Sequence, residues 1–74
     1  MDSRTLRLNY PPSLAGQPIL HQLIRGFELT VNLRQAQISL EEGWLEAEVQ
    51  GAPAEIERAI AWLAGQGVGV ERLP

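Results

Sequence analysis

The chain has 74 residues, no cysteine and a formal net charge of −3 at pH 7. This length fits one small domain over residues 1–74, and neither disulfides nor thiolate–metal sites are available to stabilise its modest core. Because dimerisation is the remaining common way to bury more surface, we expect a homodimer. The six basic residues are scattered, which argues against a nucleic-acid groove. No apolar run is long enough to insert into a membrane and Met1–Arg7 lacks a signal core, so we expect a cytoplasmic protein.

The first two elements are a strand and a short helix. Apolar and polar side chains alternate over Thr5–Tyr10, which predicts a strand with Leu6, Leu8 and Tyr10 on its buried face. After a loop, Pro18 suits the first turn of a helix and Gly26 suits its C-terminal end. The apolar stripe of this helix is predicted to contain Ile19, Leu20, Leu23, Ile24 and Phe27.

The second strand changes its pattern part of the way along. From Phe27 to Leu33 every second residue is apolar, whereas from Ala36 to Leu40 the apolar residues fall on the other parity. Since a slip of one residue exchanges the two faces of a strand, we expect either a bulge near Arg34–Gln35 or a break between two strand segments.

A hairpin turn, a third strand, a second helix and a last strand complete the chain. Glu41-Glu42-Gly43 indicates the turn, with Gly43 free to adopt a positive φ, and alternation over Leu45–Val49 predicts the strand. Pro53 begins the second helix, which ends near Gly65–Gly67 before a strand that runs to Leu73. The buried stripe of this helix is predicted to contain Ile56, Ala59, Ile60, Leu63 and Ala64, while Trp62 packs beside it or contacts a partner.

The order β-α-β-β-α-β predicts an α+β, ferredoxin-like sandwich with a four-stranded antiparallel sheet and both helices on one face. In the usual strand order, strand one lies between strands three and four, and the second sheet face is open. We expect Thr30 and Trp44 on this open face, which is either an ordinary solvated surface or an interface, where Trp is a common anchor. The charged residues of the open face are predicted to be Glu28, Glu46, Glu48, Glu71 and, between the last three of these, Arg7.

Residues suited to catalysis or metal binding are sparse. His21 is the only histidine and falls on the polar side of the first helix, where a solvated side chain is the ordinary outcome. The glutamates show no metal-ligand spacing, and no phosphate-binding G-x-x-x-x-G-K-[ST] motif is present. An acylphosphatase-type enzyme on this fold would need an Arg in the loop after the first strand, and Pro11–Gly16 has none. We therefore expect no catalytic residue, no metal and no cofactor.

Asn32 is the polar residue that stands out in the second strand. Its amide lies between Val31 and Leu33, in a position where Asn has poor strand propensity. Two interpretations are open. Either the side chain caps the predicted bulge through its own backbone, or its donors and acceptor bind an amino-acid head group.

Several segments resemble the NIL domain family, which is named for an Asn-Ile-Leu triplet in this strand. The triplet here reads Asn32-Leu33-Arg34. The resemblance covers nearly the whole chain, through Leu6–Leu8, Pro18–Leu20, Phe27–Leu33, Ala36–Ile38 and Gly51–Leu73.

The resemblance implies a ferredoxin-like, dimeric regulatory domain, best known at the C-terminus of methionine-importing ABC transporter ATPases. There it binds methionine and inhibits further import, while other members are fused to iron–sulfur ferredoxin modules. Because 74 residues leave no room for an ATPase domain, we expect a stand-alone member. The first hypothesis is a dimeric sensor of a small amino-acid-like ligand such as methionine. Asn32 would bind the head group, and Val31 and Leu33 the apolar part.

The second hypothesis is a protein-interaction module. It would dock a ferredoxin-type or sulfur-metabolism partner through the open sheet face, with Trp44 and Thr30 in the interface. The two hypotheses differ in the surface they use, since the first depends on the strand around Asn32 and the second on the open face around Trp44.

Overall fold

A computed structural model describes residues 2–11, 18–38 and 43–74. The strands form one antiparallel sheet in the order β2-β3-β1-β4, so the predicted fold, with strand one between strands three and four, is confirmed. Glu41 and Glu42, on which the predicted turn falls, lie outside the described residues. The elements are β1 (Asp2–Tyr10), α1 (Ile19–Gly26), β2 (Thr30–Ile38), β3 (Gly43–Gly51), α2 (Pro53–Gly65) and β4 (Gly69–Leu73).

The core lies between one sheet face and the two helices. Alternation in β1 and β3 predicts its strand residues correctly, and no buried polar or charged residue joins them within the described chain. Trp62 packs on its own domain, with its ring centroid 5.7 Å from that of Phe27. The buried apolar residues are Leu6, Leu8, Ile19, Leu23, Leu45, Ala47, Val49, Ile56, Ala59, Leu63 and Val68.

The ends of α2 follow from local chemistry. Pro53 occupies the first turn, where its missing N–H costs no hydrogen bond, and Glu55 places negative charge near the positive end of the helix dipole. At the other end, the N–H of Gln66 donates to the carbonyl of Leu63 over 3.1 Å. Gly67 then adopts a φ of 93°, a conformation that glycine enters without a steric penalty, and the chain turns towards β4.

The change of parity in the second strand is a bulge within one continuous strand. Leu33 pairs with Ala47 and Gln35 pairs with Glu46, although only one step separates the two partners on β3. Arg34 is therefore the extra residue of the bulge, as one of the two sequence-based interpretations predicts.

Two predictions for the segment from α1 to β2 are wrong. The second strand begins at Thr30 rather than at Phe27, because the N–H of Glu28 donates to the Glu55 carboxylate over 3.0 Å and holds this segment in a turn. Ile24 belongs to the predicted buried stripe, yet it is 48% exposed. The helix α1 has only eight residues, and its packing buries one flank and leaves the flank of Ile24 uncovered.

Gly43 does not use the freedom to adopt a positive φ that glycine has in a turn. Gly43 begins β3 and pairs with Tyr10 on one side and Ile38 on the other. Two-sided pairing requires extended backbone, and Gly67 is the glycine with positive φ in the part of the chain that the structure describes.

Candidate functional site

The strand β2 is an edge of the sheet, since it pairs with β3 and with no other described strand. An edge strand presents backbone N–H and C=O groups that sheet pairing does not use. Side chains on β2 therefore stand beside hydrogen-bonding backbone groups that are open to a ligand or a partner. The three residues of the predicted ligand site all lie on this strand.

Asn32 lies on the open face of the sheet, opposite Glu48, and its side chain is exposed. The structure records no hydrogen bond between its amide and another described residue. No described residue therefore uses its donors and acceptor, and the described residues give no support to the interpretation that Asn32 caps the bulge.

Val31 and Leu33 lie on the helix side of the same strand. Val31 is half-buried and packs against the core. Leu33 faces the same side as its buried partner Ala47, but it is 55% exposed because neither helix covers it. Alternation along the strand thus indicates the face on which Leu33 lies, but not that its side chain is exposed there.

The three predicted ligand-binding residues are consecutive, but they do not form a pocket on one face. The amide of Asn32 and the isobutyl group of Leu33 lie on opposite faces, as alternation along a strand requires. A ligand that contacts both must lie beside the free edge of β2. Another molecule beside the strand would supply one wall of such a site. The contribution of this chain comes from the groups at the edge of β2.

On the open face, Arg7 holds Trp44 in place. The guanidinium carbon of Arg7 lies 4.3 Å from the centroid of the Trp44 ring, within the range of a cation–π contact. Arg7 also forms an ion pair with Glu46 over 3.8 Å and pairs in register with Glu71, which confirms its predicted position among the glutamates. One face of the half-buried Trp44 ring is therefore already occupied.

The two residues predicted for a protein interface are far apart. Thr30 pairs with Gln50 at one end of the β2–β3 ladder, and Trp44 pairs with Gln37 near the other end. The distance from Trp44 to Gln50 along β3 is six residue steps, or roughly 20 Å at about 3.4 Å per step. A single small contact cannot include both side chains, and a partner that touches both must cover much of the sheet.

Sequence reasoning missed an open groove of about 820 Å³ where α1 ends and α2 begins. Its charged groups contact one another: the Arg58 guanidinium donates to the Glu55 carboxylate over 2.7 Å, and the same carboxylate accepts the N–H of Glu28. The i, i+3 spacing of Glu55 and Arg58 is the sequence signal that could have indicated this pair. The groove is lined by Gly26, Glu28, Gly51, Ala52, Pro53, Ala54, Glu55 and Arg58.

The described ranges contain neither a metal-binding cluster nor a membrane-spanning helix. No three His, Asp or Glu side chains there group closely enough to hold a metal ion. His21 is exposed on α1. None of the described helices has the length and apolar character that crossing a membrane requires.

The fold is that of a known class of small α+β domain. The crystal structure of the C-terminal domain of an ABC transporter/ATP-binding protein from Enterococcus faecalis superimposes with a TM-score of 0.83. The match covers 95% of this chain and 82% of that chain at 23% sequence identity. At this identity the likeness concerns the fold.

Sequence comparison identifies the family. The NIL domain profile matches residues 4–72, and the chain belongs to the NIL domain family. Its relatives include the methionine import ATP-binding proteins MetN 1 of Paraburkholderia xenovorans (strain LB400) and Burkholderia ambifaria, and MetN of Burkholderia thailandensis. Each is 39% identical over 72 residues, covering 92% of this chain and 21% of the relative. The chain thus spans about a fifth of the length of these curated relatives.

Proposed function

We propose that this NIL domain is a regulatory binding module without catalytic activity, which senses a small amino-acid-like ligand such as methionine at the free edge of β2. The observation that carries the proposal is the exposed amide of Asn32, which bonds to no other described residue. The resemblance to the family, whose profile matches residues 4–72, implies that Asn32 is the first residue of the Asn-Ile-Leu triplet. The relatives named as methionine import proteins support methionine as the first ligand to test.

The chemistry of the edge suits such a ligand. The amide oxygen of Asn32 accepts a hydrogen bond from an ammonium group, and its NH₂ donates to a carboxylate. Leu33, which is 55% exposed, offers apolar surface to a thioether side chain, which adapts readily to irregular contacts. Ligand binding at this edge would regulate a cytoplasmic partner by changing the edge that the partner meets.

We also propose that the working unit is a homodimer, with apolar contacts from the partner chain completing the site. A domain of 74 residues gains stability from additional burial, and Leu33 and Ile24 are large apolar side chains that the fold leaves exposed. Sedimentation equilibrium tests this point, and a monomer at all concentrations, with and without methionine, would contradict it.

Titration calorimetry with L-methionine tests ligand sensing. We expect saturable binding to the wild type and at least about tenfold weaker binding to Asn32→Ala, since a hydrogen bond to a charged ligand group contributes about 1.5–3 kcal/mol. Gln37→Ala is the matched control, because it removes an exposed amide from the same strand and face. Absence of heat at millimolar methionine with folded protein, or equal affinity of Asn32→Ala and wild type, would contradict the proposal.

A second candidate function is docking of a ferredoxin-type or sulfur-metabolism protein on the open sheet face. The stack of Arg7 on Trp44 supports it, because it fixes a large aromatic side chain on an otherwise polar surface. Binding measured with a purified candidate partner should then be weakened by Trp44→Ala and unaffected by Asn32→Ala. The reverse pattern would favour the ligand-sensing function.

A further inference from the structure

Among the arginines, Arg34 is the one whose charge is neither paired with a described carboxylate nor placed at the end of a helix. Its side chain is exposed, and no carboxylate of the described residues lies within 4.0 Å of it. Arg25 also lacks such a partner, but it lies in the last turn of α1, where positive charge stabilises the helix dipole. The ion pairs of the other arginines are Arg4–Asp2, Arg7–Glu46, Arg58–Glu55 and Arg72–Glu57.

Arg34 also lies where the regular pairing of β2 with β3 is interrupted. It is the extra residue of the bulge on the edge strand, two residues beyond Asn32. Bulges change the direction of a side chain relative to the regular alternation of a strand. Two residues of a strand span about 6–7 Å, so the side chains of Asn32 and Arg34 both reach a head group bound between them.

The charges around the bulge have opposite signs within a short distance. Glu48 lies directly opposite Asn32 and is hydrogen-bonded to Gln50 over 3.2 Å, while Arg34 provides positive charge two residues further along β2. An ammonium group is attracted to the Glu48 end, and a carboxylate is attracted to the guanidinium, which binds carboxylates with two parallel hydrogen bonds. This arrangement matches the two charges of a zwitterionic α-amino acid.

We propose that Arg34 binds the α-carboxylate of the ligand and restricts the site to amino acids with a free carboxylate. The proposal rests on the proposed ligand-sensing function and adds the ligand class and the residue that selects it. Asn32 and Glu48 then face the ammonium group, and Leu33 is left to contact the side chain. Arg34 is the one cation of the described strand β2, so no neighbouring residue of that strand replaces it.

The test compares L-methionine with L-methioninamide, which lacks the negative charge, by titration calorimetry on the wild type, Arg34→Gln and Arg34→Lys. The wild type should bind the amide about tenfold to a hundredfold more weakly than methionine. Arg34→Gln should bind methionine more weakly by a similar factor and no longer distinguish the two ligands, while Arg34→Lys retains part of the discrimination. Arg72→Gln removes the same charge at the opposite sheet edge and should behave as wild type.

The outcomes separate the two proposals. If Arg34→Gln keeps wild-type affinity and discrimination while Asn32→Ala loses binding, the role of Arg34 is wrong and ligand sensing stands. If the folded wild type binds no methionine, both fail. The comparison of the two ligands on the wild type needs no substitution. Even if a variant folds poorly, equal affinity of the wild type for both ligands would refute the role of Arg34.

Discussion

The two halves of the helix layer differ in how much apolar surface the fold covers. On the α2 side, Ile56, Ala59 and Leu63 are at most 3% exposed. On the α1 side, Ile19 and Leu23 are buried to the same degree, but Ile24 is 48% exposed and Leu33 of the following strand β2 is 55% exposed. The helix α2 has 13 residues, whereas α1 has eight, which leaves fewer turns to cover the sheet edge.

This difference indicates a division of labour. The helix α2, the inward flank of α1 and the central strands β1 and β3 supply the burial that stabilises the fold. The α1 side leaves apolar and polar groups exposed along the free edge of β2, where the proposed ligand would bind. Substitutions at Leu63, Gly51 and Tyr10 should affect stability to a decreasing extent, and each has a counterpart that tests this difference.

Truncation of one leucine on each side should give the clearest contrast. Leu63→Ala removes a side chain that is 0% exposed and should lower the free energy of unfolding by about 2–5 kcal/mol. Leu33→Ala removes a largely exposed side chain and should change it by less than about 1 kcal/mol. Urea unfolding at a concentration where the protein is monomeric measures both. Equal losses would show that Leu33 contributes to the core as much as Leu63 and would contradict the exposure of the β2 edge.

Gly51, the last residue of β3, packs closely against the segment that joins α1 to β2. A Cβ atom there would lie 2.5 Å from Cδ2 of Leu29 and 3.1 Å from the carbonyl oxygen of Glu28. Because the backbone carbonyl cannot move freely, Gly51→Ala should destabilise the domain by about 1–3 kcal/mol. Gly26→Ala at the end of α1 meets no atom within 4 Å and should be neutral or stabilising by up to about 1 kcal/mol. Thermal unfolding of both variants makes the comparison, and equal effects would contradict it.

Substitution of Tyr10 should have the smallest effect on the free energy of unfolding at neutral pH. Its hydroxyl is buried without a hydrogen-bond partner among the described residues, so Tyr10→Phe should change stability by about 0.5 kcal/mol or less at pH 7. Burial raises the pKa of Tyr10 above 10.0. The folded state therefore holds the proton more tightly than the unfolded state, and the wild type should lose stability as the pH rises through 10 towards the folded pKa.

Urea unfolding of both proteins at pH 7 and at pH 10.5 measures this contribution. The Phe variant lacks the ionisable hydroxyl and should lose less stability over this interval. If both proteins lose the same amount, the phenol is as easily ionised in the folded chain as in the unfolded one.

Most of the fold could be predicted from the sequence because β1 and β3 each bury one face. Period-two alternation identifies residues such as Leu6, Leu8 and Ala47 without reference to any other part of the chain. The start of β2 could not be predicted in this way. It depends on the hydrogen bond from the Glu28 N–H to Glu55, 27 residues further along, and local periodicity carries no information about such a contact.

The candidate site was predictable only in part. Asn32 stands out from its poor strand propensity, and the change of parity predicts the bulge that contains Arg34. The exposure of Leu33 depends on how far α1 extends over the sheet. That no carboxylate of the described residues pairs with Arg34 depends on where distant side chains lie. Both are properties of tertiary packing.

The two tryptophans lie in different surroundings, and this gives the domain two separate fluorescence reporters. Trp44 stands on the open face against the Arg7 guanidinium, while Trp62 on α2 packs against Phe27 on the helix side. A Trp62→Phe protein emits only from the open face, and a Trp44→Phe protein emits only from the helix layer. Emission from these two proteins distinguishes a partner that settles on the sheet from an event that loosens the helices.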